Sequence, residues 1–288
     1  MIQFLINGLI TGVLYSLLAI GFALVYNTTR IFHIAAAALY VVAAYAFYVF
    51  AVKLGLPLVL AFVLATIFTM LISLCTEYGV YQPLKKRKAS LNVTMIASIG
   101  LMTVLVNLVA MIFGNEPKVI DNTILPTFAF GDIIITTPQM YQLVVGVAII
   151  VIFLLFISFS RFGLKLRALS TDDELYATMG YSINRTRTYV FLLSGLFISV
   201  ASCLTVYDVG LDPHMGMNVL INAMVAMIIG GIGRFGTCVV GGLILGVLQS
   251  LVVYQFASNW QNAITFVLLL ILFFLRPQGI AGYNQRTV

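Results

Sequence analysis

Charge is what this chain has least of. Only 8% of its 288 residues are Asp, Glu, Lys or Arg while 62% are hydrophobic, and a soluble domain carries about 25% charged residues. With a mean hydropathy of +1.10, a soluble globular fold is excluded and a polytopic membrane protein is expected. The stretch from Met1 to Thr29 holds no charge at all, so the basic start of a secretory signal is missing and a retained span is predicted. Cysteine is scarce, and Cys75, Cys203 and Cys238 all fall in apolar runs. That leaves neither a disulfide framework nor paired metal-ligand spacing. The two histidines, His33 and His214, fall at opposite ends of the predicted topology, so neither a metal pair nor a nucleophile-base arrangement follows from spacing, which argues against an intramembrane enzyme. No G-x-x-x-x-G-K-[ST] occurs, so ATP cannot be held by a P-loop of this chain. No Asp, Glu, Lys or Arg falls in the middle of an apolar run, which removes the groups that bind coupling ions in secondary transporters. A passive channel stays open.

What the chain does have is a succession of apolar runs of the roughly 20 residues a helix needs to cross a bilayer. They cover residues 4–25, 34–52, 57–75, 91–113, 140–159 and 189–207. A shorter run, 219–232, ends in Gly230, Gly231 and Gly233 and restarts at Cys238, and residues 263–275 close the series. The expected fold is all-α, a polytopic helical bundle of about nine spans, eight or ten being alternatives, with the Gly-rich segment broken or re-entrant.

Orientation follows from lysine and arginine, because basic loops stay in the cytoplasm. With nine spans and the N-terminus outside, thirteen of the 15 basic residues fall inside and only Lys53 and Lys118 fall outside. The net charge of +6 therefore reflects membrane topology, not nucleic-acid binding. Asn-x-Ser/Thr patterns at Asn27, Asn92 and Asn184 lie on the cytoplasmic side in this scheme and read as chance matches.

The longest polar stretch between spans is residues 161–188, RFGLKLRALSTDDELYATMGYSINRTRT. Asp172, Asp173 and Glu174 open a short helical pattern in which Leu175, Tyr176 and Met179 can share one side, and Gly180 ends it. A capped amphipathic helix with flanking arginines suits docking to another protein, and an ordinary solvated loop fits the same residues. Gly231, Gly233 and Gly236 spell G-x-G-x-x-G, but no strand pattern precedes them and no acid follows, so a dinucleotide site is not indicated. With Gly230, Gly241 and Gly242 they read as small residues that let helices approach closely.

At this point the sequence resembles a family, the membrane permeases of branched-chain amino-acid-type ABC importers, which also include urea and amide permeases. The likeness rests on NGLITGVLYSLLAIGFALVY from Asn7, on Glu77, Tyr81, Pro83 and Leu84, on GGIGRFGTCVVGGLILG from Gly230, and on RPQGIAG from Arg276. In the polar stretch, Arg167, Ala168, Asp173, Ala177, Gly180, Ile183 and Arg185 match the family's cytoplasmic coupling segment. One departure stands out. The second span begins HIAAAALYVVAAY from His33, with Ala36 and Ala38 where such permeases usually carry His and Glu.

The resemblance implies one transmembrane permease domain over residues 1–288, without catalytic or metal residues. It would work with a second permease subunit, usually a paralogue, two cytoplasmic ATPases that bind ATP and Mg, and an outer solute-binding protein. Coupling to the ATPase would then fall to Arg167, Asp172, Asp173, Glu174, Ala177, Gly180 and Arg185. A path without mid-span charge suits a small neutral or zwitterionic solute, with Asn7, Tyr15, His33, Asn107 and Asn222 as candidate lining residues. Each of these also fits a bond between neighbouring helices. Asp208, Asp212 and His214 lie in the loop that would face the binding protein.

Overall fold

The computed structural model describes residues 1–120, 126–130, 133–171, 173–231, 233, 235–258 and 260–275. Helix α1 (Ile2–Thr29) is the axis of the fold, buried along most of its length. It can be buried on all sides because it is apolar all round. It stops where Arg30 turns left-handed at φ 57° and donates its N–H to the Tyr26 carbonyl. After residues 31–35 comes α2 (Ala36–Tyr48), which runs on into a π-helical turn at Val49–Lys53. Helix α3 (Leu58–Thr76), a second π-helical turn (Glu77–Tyr81) and α4 (Gln82–Lys86) form one continuous rod of 29 residues.

Helix α5 (Leu91–Phe113) begins at Ser90, whose hydroxyl accepts the Val93 N–H. The all-α expectation needs one amendment here: β1 (Thr127–Phe130) and β2 (Ile133–Thr136) pair antiparallel, Thr127 opposite Thr136, in a short hairpin. The hairpin leads into α6 (Thr137–Phe159), which opens with a capping box between Thr136 and Gln139. Helices α7 (Arg161–Thr171) and α8 (Asp173–Thr178) follow, then α9 (Ile183–Val209), α10 (Gly216–Gly230), α11 (Phe235–Gln255) and α12 (Trp260–Leu275).

Around α1 are packed α6, α9, α10 and α11, while α2 and α3 pack on α9, and α5 leans on α2 at the periphery. Glycines set the closest crossings. A Cβ on Gly12 would stand 2.9 Å from the Leu243 Cα, and Gly246 lies against the Gly12 backbone, so α1 and α11 meet backbone to backbone. Gly241, on the adjoining face of α11, lies against the Ala226 carbonyl of α10.

Seven helices are long and apolar enough to span a bilayer, while α10 and α12, at 15 and 16 residues, are shorter. Of the about nine spans expected, seven are long helices and the remaining apolar helices, α10 and α12, are short among the described residues. The interrupted run is an α10–α11 helical hairpin. Gly231 and Gly233 sit at φ 99° and 105° in its connection, a conformation in which a Cβ is disfavoured. Gly230 packs against the Thr237 carbonyl, whereas Gly236 has only the tip of Leu154 at 3.8 Å and is not required by packing.

Candidate functional site: two polar centres in an apolar bundle

One polar centre lies where α1, α10, α11 and α12 converge. The Asn222 amide nitrogen donates to the Tyr15 hydroxyl at 3.3 Å. Gln249 Nε2 donates to Asn222 Oδ1 at 3.1 Å and to Thr265 Oγ1 at 2.6 Å. Gln261 Nε2 donates to Gln249 Oε1 at 3.0 Å. Asn222, Gln249 and Thr265 are buried, and mutual bonding is what lets amides and hydroxyls stay in an apolar bundle. Beside this network Asn218, Ile221, Asn222, Asn262, Thr265 and Phe266 line a small recess. The residues lining it are uncharged, with amides and a hydroxyl beside an aliphatic and an aromatic side chain. On the other flank of α10, Val219, Leu220 and Ala223 pack beside Ala36, Ala37 and Tyr40 of α2 around a narrow apolar gap. The alanine-rich start of α2 is thus part of an apolar wall.

Of the five residues singled out as path-lining, Tyr15 and Asn222 come together here and the other three do not. Asn7 accepts from Gln3 one helical turn away, near the start of α1. Asn107 is exposed on α5 and donates to the Thr103 carbonyl of its own helix. His33 is fully buried in the connection between α1 and α2, with Nδ1 2.8 Å from the Tyr81 hydroxyl and its ring edge-on to Tyr81 and Phe191. Burial pulls its imidazole down to about 3, because a charged ring there would lose its hydration. Sequence reasoning missed Gln249, Gln261 and Thr265. The available signal was Gln249, an amide in the middle of the apolar run GVLQSLVV.

The second polar centre is a buried charge pair just outside the predicted apolar runs, whose middles hold no Asp, Glu, Lys or Arg. Glu77 and Arg187 form a two-pronged ion pair, Nε to Oε1 at 2.7 Å and Nη2 to Oε2 at 3.0 Å, with both side chains 4% exposed. Each stands inside a long apolar helix, the Leu58–Lys86 rod and α9. Neither residue fell in a predicted apolar run, because the rod continues past its run and α9 starts six residues before its own run begins. Tyr81, one turn beyond Glu77, bonds Ser98 of α5 at 2.8 Å as well as His33.

The polar stretch adjoins this centre. Its expected short helix is present as α8, with Ala177 in it and Gly180 at φ 81° after it. Asp172 and the side chain of Glu174 lie outside the described residues. The expected common face is split: Tyr176 is 2% exposed and within 2.9 Å of the Thr186 hydroxyl, whereas Leu175 and Met179 are 54% and 62% exposed. Arg167 donates from Nη2 to the Ile157 carbonyl, tying α7 to the end of α6, and Arg185 lies exposed in the first turn of α9. Asp212 accepts the His214 N–H at 2.6 Å within the α9–α10 connection. The closing RPQGIAG motif lies outside the described residues.

Long apolar helices around a buried axial helix define a polytopic helical membrane protein. Over residues 4–273 the chain matches the family described as "Branched-chain amino acid transport system / permease component" and belongs to it. It is therefore a transport permease, similar to LivH. Its relatives include the high-affinity branched-chain amino acid transport system permease protein BraD of Pseudomonas aeruginosa, 28% identical over 98% of this chain and 95% of that protein. The corresponding permease protein LivH of Escherichia coli is 25% identical over 98% and 95%. A probable branched-chain amino acid transport permease protein LivH of Methanocaldococcus jannaschii is 27% identical over 97% and 92%. Among solved structures, PsaBC from Streptococcus pneumoniae in complex with Fab has a similar fold, with a TM-score of 0.55 and 19% identity over 96% of this chain and 93% of that one.

Proposed function

We propose that this chain is a permease subunit of a binding-protein-dependent ABC importer and forms half of the path for a branched-chain or similar small neutral or zwitterionic amino acid, amide or urea. The observation that carries the reading is the family match over residues 4–273, with relatives along nearly the whole chain named as branched-chain amino acid permeases. The partners in this reading are a paralogous second permease, two cytoplasmic ATPases holding ATP and Mg, and an outer solute-binding protein. The subunit sits in the bacterial inner membrane, surrounded by lipid.

The distribution of basic residues supports an inward-facing polar stretch. Of the twelve described lysines and arginines, ten gather at the end of the bundle where Arg30 donates to the Ser170 carbonyl, and Lys53 and Lys118 stand at the other. The start of α1 belongs to that second end, where Gln3 exchanges hydrogen bonds with the backbone of Ile134 in β2. Basic residues mark the cytoplasmic side, so α7 and α8 face the ATPases and the N-terminus faces out. Residues Arg167, Asp172, Asp173, Glu174, Ala177, Gly180 and Arg185 then form the coupling surface.

The test is mild-detergent purification of the subunit from its own membranes, with identification of co-purifying chains, followed by uptake of radiolabelled leucine into proteoliposomes. A P-loop ATPase should accompany it, be released by charge reversal at Asp172, Asp173 and Glu174 or by Gly180→Leu, and make uptake depend on ATP. Purification without an ATPase, with leucine flux independent of ATP, would replace this reading by that of a channel.

A further inference from the structure

The ion pair between Glu77 and Arg187 lies in a series of buried polar side chains, joined by hydrogen bonds and by the helices that carry them, from the coupling helix to the residue before α2. Tyr176 of α8 and Thr186 of α9 share a hydrogen bond of 2.9 Å. The next residue of α9, Arg187, grips Glu77 through both prongs of its guanidinium. Glu77 opens the π-helical turn whose last residue, Tyr81, is within 2.8 Å of both His33 Nδ1 and Ser98 Oγ. Ser98 in turn accepts the N–H of Ala35, the residue immediately before α2. Every side chain in this series is buried.

Two physical facts argue that the pair does more than hold α3 against α9. That crossing is already closely packed, since a Cβ on Gly195 would stand 2.9 Å from the Ser73 Cβ, and Ser73 Oγ donates to the Phe191 carbonyl at 2.7 Å. A buried ion pair is also a poor source of stability compared with apolar groups of the same shape, and its best-attested use is to fix one arrangement against others. A bidentate Arg–carboxylate contact fixes direction as well as distance, and π-helical turns inside α-helices recur at functional positions.

We propose that Arg187 and Glu77, with Tyr81, are positioning residues that carry displacement of the coupling helix α8 to the start of α2, where Ala36, Ala37 and Tyr40 form the apolar wall beside α10. The inference rests on the reading of residues 161–188 as the ATPase-coupling segment.

The experiment uses the whole complex purified from its own membranes, with Cys75→Ser removing the exposed native thiol and Ala36→Cys reporting on the start of α2. The alkylation rate of that cysteine by a small maleimide is measured with and without a non-hydrolysable ATP analogue. With Glu77 and Arg187 in place, the analogue should change the rate at least about threefold. Glu77→Leu combined with Arg187→Leu should abolish the change while the ATPase remains bound, and exchange of the two residues, Glu77→Arg with Arg187→Glu, should restore part of it. A nucleotide-driven change that persists in the double-leucine variant would overturn the proposal, as would no change in the unsubstituted pair with the ATPase bound. Absence of an ATPase from the unsubstituted complex is a distinct result that removes the coupling reading, and this inference with it.

Discussion

Gly242 of α11 lies directly against Ser16 of α1, with no room for a Cβ between them, and the Ser16 hydroxyl donates across the same crossing to the Val239 carbonyl at 2.9 Å. The axial helix is held by backbone proximity and a side chain bonded to its neighbour's main chain, the pattern expected where lipid supplies no hydrophobic drive between helices. Gly242→Leu should therefore destabilise the subunit by at least about 3 kcal/mol. Gly236→Ala, at a glycine with open space around it, should change stability by less than about 0.5 kcal/mol. Thermal unfolding midpoints in detergent decide, and equal effects at both positions would contradict the packing.

Removing one member of the buried ion pair should cost far more than removing both. Glu77→Leu leaves the Arg187 guanidinium buried without its partner, which costs about 3–5 kcal/mol, whereas an apolar pair of similar volume is often neutral. The double variant should thus unfold at a midpoint near that of the unsubstituted protein and well above either single variant. A double-mutant cycle on thermal midpoints measures the coupling.

Asn222 joins Tyr15, Gln249 and Thr265 in one network. Asn222→Leu should lower stability by about 1–2 kcal/mol, the range of interhelical hydrogen bonds in membranes. It should also reduce leucine uptake at least about tenfold if the adjoining recess holds the solute. Asn107→Leu, on the exposed side of α5, should leave stability unchanged, and a loss of uptake there would bring α5 into the path.

His33 makes stability depend on pH. Its imidazole, at about 3 in the folded protein against an ordinary 6.5, is neutral when buried, so the unfolded chain binds the proton first as pH falls. Stability from this residue is complete above about pH 6.5 and is lost as pH falls through the window down to about 3, at up to about 1.4 kcal/mol per pH unit. Subtracting the pH profile of His33→Gln from that of the unsubstituted protein should leave this slope. A flat difference would mean that His33 is solvated.

Much of the bundle was legible because a bilayer imposes a length and a polarity on every crossing. The apolar runs near residues 4–25, 91–113 and 140–159 lie within the helices Ile2–Thr29, Leu91–Phe113 and Thr137–Phe159. Boundaries failed where polar residues continue a helix: the third run ends at Cys75 by hydropathy, yet the rod carries on through Glu77 and Tyr81 to Lys86. The hairpin in the polar loop was not anticipated, because Thr127–Phe130 and Ile133–Thr136 are each only four residues long. Of the candidate path residues, Asn222 and Tyr15 met, although 207 residues apart. Their partners Gln249, Gln261 and Thr265 were passed over because a single amide or hydroxyl in an apolar run shows no periodicity that names its neighbour.

The sequence by itself determined the solvent of this protein, its helical class and its family, since these follow from composition, run length and ordered motifs. Tertiary structure alone decided which polar groups meet. Glu77 and Arg187 are 110 residues apart, and each would be prohibitively costly if buried without the other. Their pairing depends on α3 and α9 crossing at Gly195 and Ser73, a relation between surfaces that exists only once the helices have packed.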